Sequence, residues 1–324
     1  MSLFNSLKKR LTNQFLAVIV YEDSCNIKQK IVKNSKLLHK EEFNFDIKSK
    51  DDLGGKVINF INTLQEEHDN TYIALFLNTL GQGIIPICDE NALSKFNVDH
   101  KNVKSICKDN RFLMYATLID VKWADKLFQR TGLDFVFSPF LVLDFFIKKA
   151  MKKESYNKEE VVLYILNTNN ALTLMIQKGD TLLYGAFFNI AKGEDLLYTD
   201  YSDDVEDDTV MDELNLDDIS DLEMDDILDV SNQSNFVTNI LQSNANISEE
   251  DERIIKYLNS SLKEFYSNKL YNSEFITAAR IYDDVGINEG VMKYIENELL
   301  LDTSAENISV SDVILELSMQ EASI

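Results

Sequence analysis

Asn167-Thr168-Asn169-Asn170-Ala171-Leu172-Thr173 sets four polar residues at the head of an otherwise apolar run. Around it, Tyr164 to Phe188 reads as a β-hairpin, with Lys178-Gly179-Asp180 as a tight turn. Such a break is either an ordinary loop or a phosphate cradle, in which backbone N–H groups and a carboxylate hold phosphate and metal. Other reactive residue types are sparse. Cys25, Cys88 and Cys107 are odd in number, widely spaced and without CxxC pairing, which argues against a disulfide framework and a zinc site. His39, His68 and His100 form neither HExxH nor a closely spaced His pair. Glu66-Glu67-His68-Asp69 reads as a solvated helix end, because adjacent helical residues do not converge on one point. No Ser/His/Asp grouping, P-loop or GxGxxG competes as catalytic machinery.

The rest of the chain must supply the scaffold. With 324 residues, 45% of them hydrophobic, it can bury a large core in two domains or one α/β unit. No apolar run approaches the ~18 residues of a membrane span, and the short run Phe15 to Val20 behind a basic N-terminus is not a signal-peptide core. A reducing cytoplasm fits the cysteine pattern. Leu3, Phe4, Leu7 and Leu11 with Lys8, Lys9 and Arg10 read either as a tail into the first strand or as a short amphipathic anchor.

The net charge of −23 is concentrated. Gly193 to Glu252 holds 21 acidic residues and no Lys or Arg, which leaves only −2 for everything else. Nucleic-acid binding is disfavoured, because phosphate neutralisation needs a basic face. The stretch 198–230 is too self-repelling to compact, and an EF-hand loop is not supported by its spacing. It serves either as a solubilising loop or as a lure for a basic partner.

Periodicity orders the remaining elements. Phe15 to Val20, Asn26 to Val32 and Leu37 to Phe45 form a strand meander, and Asp51 to Leu64 a helix. Thr71 to Leu77 is a strand, Ile84 to Ile87 and Phe112 to Ile119 follow as apolar stretches, and Lys122 to Arg130 is a helix holding the single Trp. Phe135 to Phe137 is a strand and Leu141 to Met151 a helix. Beyond the acidic segment, Ser248 with Asp251 resembles a capping box for a helix whose apolar face starts at Ile254. Ser273 to Tyr282 is a strand, Gly290 to Leu301 a helix, and Ser309 with Asp312 caps the last helix.

Three stretches stand out beside this order: Tyr21 to Lys28, Asn167 to Thr173 and Asp283 to Gly290. Together with the order they resemble an actin-like ATPase, and within that superfamily the PilM-type pilus-assembly proteins, relatives of the cell-division protein FtsA and of the secretion protein GspL. The resemblance implies an α/β, two-lobed actin-like (ribonuclease H-like) fold with an FtsA-type inserted subdomain. Lobe 1 would take residues 1–68 and 133–160, the insertion 69–132, and lobe 2 residues 161–197 and 248–324. The acidic insertion would be 198–247.

The family's first phosphate motif, D-I-G-S-S-S-V-K, keeps Ser24 and Lys28 but has Tyr21 for Asp and Asp23 for Gly. The second, D-x-G-x-x-x-T, keeps Thr173 but has Asn167 for Asp and Asn169 for Gly. In the adenosine motif G-G-G-S-x-L-x-G only Gly290 agrees, and the leading glycines have become Asp283 and Asp284. Glycines admit phosphate to the backbone, and the carboxylate places Mg²⁺ and water. A carboxylate at Asp23 about 4 Å from a phosphate would oppose binding by about 4 kcal/mol at an effective dielectric near 20, roughly a thousandfold.

The expected protein is therefore a pseudo-ATPase without a bound cofactor, ATP and Mg²⁺ included. The resemblance implies a non-catalytic cytoplasmic scaffold that holds the N-terminal tail of a PilN-like single-span inner-membrane protein, in a groove between core and insertion. It would serve a type IV pilus, a type II secretion or DNA-uptake system, or a flagellar motor built with pilus-type parts, with homo-oligomers left open. The alternatives are an active actin-like ATPase that uses polar side chains in place of glycine, and an acidic regulator unrelated to envelopes.

Overall fold

The computed structural model describes residues 11–154, 156–191 and 248–324. Readings that fall on residues 1–10 and on the acidic segment lie outside the described residues. Two five-stranded sheets carry the chain, and both have one topology. In the first, β1 (Thr12–Val20), β2 (Ser24–Lys33) and β3 (Lys36–Asp46) run as an antiparallel meander. β4 (Thr71–Phe76) pairs parallel to β1, and β8 (Phe135–Phe137) parallel to β4. The second repeats this plan with β9 (Val161–Thr168), β10 (Ala171–Lys178), β11 (Thr181–Asn189), β12 (Ala278–Asp283) and β13 (Asp302–Asn307).

The sequence explains the central strands. β1 and β9 are nearly unbroken apolar runs, and all but one of their residues are buried, as strands covered on both faces must be. On the outer face of the first sheet lie α1 (Gly54–Glu67) and α2 (Leu118–Leu127), which pack Val57, Ile61, Ala124 and Leu127 against Leu16 and Val18. On the outer face of the second lie α4 (Glu249–Ser267) and α5 (Glu289–Asn297), with Ile254, Leu258, Phe265 and Ile295 against Leu163 and Ile165. The Ser248–Asp251 capping box at the start of α4 is present in both directions.

The inner faces share one core. α3 (Pro139–Met151), capped by Ser138, follows the first sheet yet packs on β9 and β10 of the second. α6 (Val310–Glu321) follows the second sheet and packs on β1, β2 and β4 of the first. Phe15, Phe76, Phe140, Phe146, Tyr164, Leu166 and Ile314 therefore belong to a single cluster.

A third sheet, in order β5-β7-β6, is inserted between β4 and β8: β5 (Gln82–Ile85), β6 (Val103–Lys108) and β7 (Phe112–Thr117). This narrows the expected insertion of 69–132. Thr71–Phe76 belongs to the first sheet because its apolar run is buried beside β1, and α2 returns to the first lobe's core. Arg111 ties the insertion to α3 through an ion pair with buried Asp144, at 2.5 Å.

Three further expectations need correction. Tyr164 to Phe188 is not one interrupted hairpin but parts of three strands, because Asn169-Asn170 forms the β9–β10 turn with Asn170 at φ 62°. The second turn is Gly179-Asp180, with Gly179 at φ +57°. Cys88 and Cys107 are disulfide-bonded, with Cα atoms 5.3 Å apart, whereas their spacing of 19 residues argued against pairing. Folding of β6 back onto β7 brings Cys107 to the loop leaving β5. The strand expected from Ser273 starts only at Ala278.

Arg253 on α4 donates from Nε to the Ile190 carbonyl just beyond β11, at 2.9 Å, and so joins the two ends of the segment between Ala191 and Ser248. The insertion meets the second lobe where β5 contacts β11, and there a Cβ on Gly185 would overlap Ile84 Cγ2. Gly185→Val is expected to cost about 1–3 kcal/mol in chemical denaturation, the usual penalty of overpacking. That cost should shrink when Ile84→Ala makes room, a coupling that a double-mutant cycle measures.

Candidate functional site

The three motif positions lie at equivalent ends of the two sheets. Tyr21, Asp23 and Ser24 sit at the β1–β2 turn, closed by a Tyr21 N–H to Ser24 carbonyl bond of 2.8 Å. Asn167 is near the end of β9, Asn169 is in the β9–β10 turn, and Asp283 ends β12 beside Asn167. The folded chain thus brings the motifs to the two lobes' facing ends, as the element order requires.

What occupies those ends is the protein itself. The Asp283 carboxylate accepts N–H bonds from Val285 at 3.3 Å, Gly286 at 3.0 Å and Ile287 at 2.5 Å, the last three backbone donors forming a nest about it. The Asn167 amide adds a fourth, at 3.0 Å. Asp283 is buried, and four donors compensate its charge. Gly286 at φ +101° allows the backbone to curl over this carboxylate. Asp284 accepts from the Val310 N–H at 2.8 Å, at the start of α6, where the helix end favours an anion. Burial raises the Asp284 pKa above the ordinary carboxylate value; the Val310 bond works against this, while nearby Asp283 adds to it.

Lys28, which closes the first motif, is also engaged. Its ammonium donates to Ser309 Oγ at 3.1 Å and pairs with the Asp312 and Glu42 carboxylates at 2.9 and 3.3 Å. Tyr21 stands between these groups. Burial, together with the nearby Asp284 and Glu42 carboxylates, pushes its phenol up to about 12. Tyr21, Lys28 and Asp284 are thus brought together at the start of α6. The other expected residues stand apart. The Asp23 carboxylate accepts from the neighbouring Ser24 hydroxyl at 3.3 Å, and its backbone carbonyl from the Ile47 N–H at 2.9 Å. Thr173 is fully buried, and its Oγ1 has no partner among the described residues. The Gly290 N–H serves to cap α5 through Asn288. Among the described residues no three His, Cys, Asp or Glu side chains converge as a metal site.

A groove of about 430 Å³ opens beside these turns, between the first lobe, the insertion and the β9–β10 turn. Its walls include Tyr21, Asn78, Thr79, Leu80, Ile119, Trp123, Asn169 and Phe187. Ile119 is 79% exposed. Asn78 Oδ1, Thr79 Oγ1 and Trp123 Nε1 are shielded from water and find no hydrogen-bond partner among the described residues. Such orphaned groups are costly, and a ligand that pairs them relieves that cost. Glu22, Asp51 and Asp120 against Lys50 leave the groove acidic. Of the wall residues, motif reading singled out Tyr21 and Asn169 and missed the others. Only the Gly81 turn hinted at them: a Cβ there would overlap Thr117 and Asp120, so Gly81 lets the groove wall close.

Two family models match the chain in succession: one described as a domain of unknown function (DUF8569) over residues 11–144, and another (DUF8341) over residues 163–323. No curated protein matches in sequence. Among solved structures, a Bacteroides thetaiotaomicron protein of unknown function with an actin-like ATPase fold aligns over 98% of this chain and 99% of its own, at 10% identity and TM-score 0.50. The fold is that of the actin-like ATPases. A PilM–PilN type IV pilus biogenesis complex aligns over 95% of this chain and 96% of its own, at 9% identity and TM-score 0.49. Acetate kinase from Entamoeba histolytica aligns over 95% and 99%, at 8% identity and TM-score 0.43.

Two stability effects follow from the actin-like site. Asp283→Ala strands three N–H groups and one amide, and is expected to lower stability by about 3 kcal/mol in urea unfolding. Asp284 has a raised folded pKa, so the stability it contributes is present at acid pH and lost as pH rises through that pKa. Asp284→Asn should therefore gain on wild type between pH 4 and pH 7, measured as the difference in melting temperature.

Proposed function

We propose that the protein is a non-catalytic scaffold at the cytoplasmic face of an inner membrane, where it holds the N-terminal tail of a PilN-like single-span membrane protein. The observation that carries this reading is the occupation of the former phosphate positions by the chain's own carboxylates, with Lys28 fully engaged. A triphosphate would have to displace Asp283 from its nest and Lys28 from three partners, while gaining no carboxylate at Asn167 for Mg²⁺.

The groove supports the second half of the reading. It combines exposed Ile119 with Trp123, orphaned polar atoms and an acidic rim. Tails next to membrane spans carry excess Lys and Arg, which complements that rim. The run of 21 acidic residues leaves the chain just beyond Ala191, itself on the groove wall. The machine served would be a type IV pilus, a type II secretion or DNA-uptake system, or a flagellar motor built with pilus-type parts.

Titration calorimetry with millimolar Mg²⁺–ATP is expected to give no heat and no thermal shift; saturable heat would restore the ATPase reading. Trp123 is the only tryptophan of the chain, so its fluorescence reports the groove. Synthetic tails of single-span membrane proteins encoded beside the gene should shift its emission. Ile119→Glu should weaken that binding at least tenfold without changing the melting temperature. Tails that leave Trp123 unmoved would remove the scaffold reading.

A further inference from the structure

Among the described residues the insertion has a small hydrophobic cluster of its own. Its own core has only four buried residues, Ile85, Ala92, Leu93 and Leu113, with Phe96, Val98, Val103 and Tyr115 packed partly against them. Units this small need a staple. The Cys88–Cys107 bond is placed as one. Cys88 leaves β5, its sulfur lies 3.3 Å from the Phe112 carbonyl of central β7, and Cys107 stands on β6, opposite Leu113. The bond therefore spans the sheet from one outer strand to the other and closes the loop that carries the 3-10 turn Glu90–Phe96. Phe96 on that turn meets Tyr271 of the second lobe, with ring centres 5.9 Å apart. At its other end β7 runs into Thr117 and α2, the groove wall with Ile119 and Trp123.

We propose that Cys88–Cys107 is a thiol–disulfide exchange site, a strap that a dithiol or glutathione-type reductant opens and an oxidant closes. Cys107 is exposed on its edge strand, within reach of a small thiolate. The reductant's thiolate attacks Cys107 Sγ, the S–S bond breaks, and Cys88 leaves as a thiolate that takes up a proton. A second reductant thiol then displaces Cys107 and leaves the reductant as its own disulfide. The protein thereby gains two electrons and two protons. This inference rests on the proposed cytoplasmic setting, where disulfides are transient and redox-sensing rather than constitutive.

Cys25 supplies the internal control. It is buried, and desolvation pushes its thiol up to about 12, so it does not react in the folded protein.

The test uses the full chain, oxidised in air or reduced with dithiothreitol, and needs no partner. Alkylation after denaturation followed by mass spectrometry should count one thiol in the oxidised form and three in the reduced form. Alkylation of the folded, reduced protein should modify two. Amide exchange over residues 86–107 should accelerate about a hundredfold on reduction, the loop-closure contribution of a crosslink of this span. Cys88→Ser/Cys107→Ser should exchange like the reduced wild type whether or not reductant is present. Three thiols in the oxidised protein, or exchange rates within twofold of one another, would overturn the proposal. If the strap opens as described while no membrane-protein tail binds the groove, the exchange site stands and the scaffold reading alone falls.

Discussion

Neither sheet covers its own inner face. The helix that ends the first lobe, α3, lies on the second sheet, and the helix that ends the second lobe, α6, lies on the first. Each lobe therefore needs the other to bury Phe15, Phe140, Tyr164 and Ile314, and the core that results is one cluster. A hydrophobic core shared in this way opposes any large separation of the lobes, since opening would expose apolar area at roughly 25 cal/mol per Å². The cleft above it inherits that constraint, because the start of α6 is also where Lys28 and Asp284 bind.

The same geometry explains how the donors at these strand and helix ends are satisfied. Helix ends and backbone nests leave N–H groups that must be paired when buried. Asp283 and Asp284 pair them with carboxylates carried by the chain. The positive ends of the backbone dipoles are thus neutralised within the chain itself.

The sequence disclosed the elements whose pattern is local. β1, β4 and β9 announce themselves as apolar runs, and Ser248 with Asp251 marks a helix start through chemistry contained in four residues. Two edge strands, β6 and β13, were not read. β13 is Asp302-Thr303-Ser304-Ala305-Glu306-Asn307, which has no apolar alternation because its side chains are largely exposed and only β12 holds it. β6 escaped for the same reason. Asn167 and Asp283 face each other near the ends of β9 and β12, but their mutual bond was not legible, since a contact across 116 residues leaves no trace in spacing. Asp283 and Asp284 turn to backbone N–H groups, of Val285 to Ile287 and of Val310, which no local pattern signals. A groove between core and insertion was expected, but not its lining: Asn78 follows β4, Ile119 and Trp123 stand on α2 and Phe187 on β11, and the four share no motif.

The Arg253 clasp on the Ile190 carbonyl has an evolutionary meaning. It fixes β11 and α4 next to each other by a bond that does not involve the residues between them. For a chain whose ends are already held, closure entropy grows only with the logarithm of length, about 0.6 kcal/mol for each doubling. That interval is thus a port where sequence can be lengthened, shortened or exchanged at little thermodynamic consequence to the two lobes. Selection can tune what is carried there while the fold stays constant.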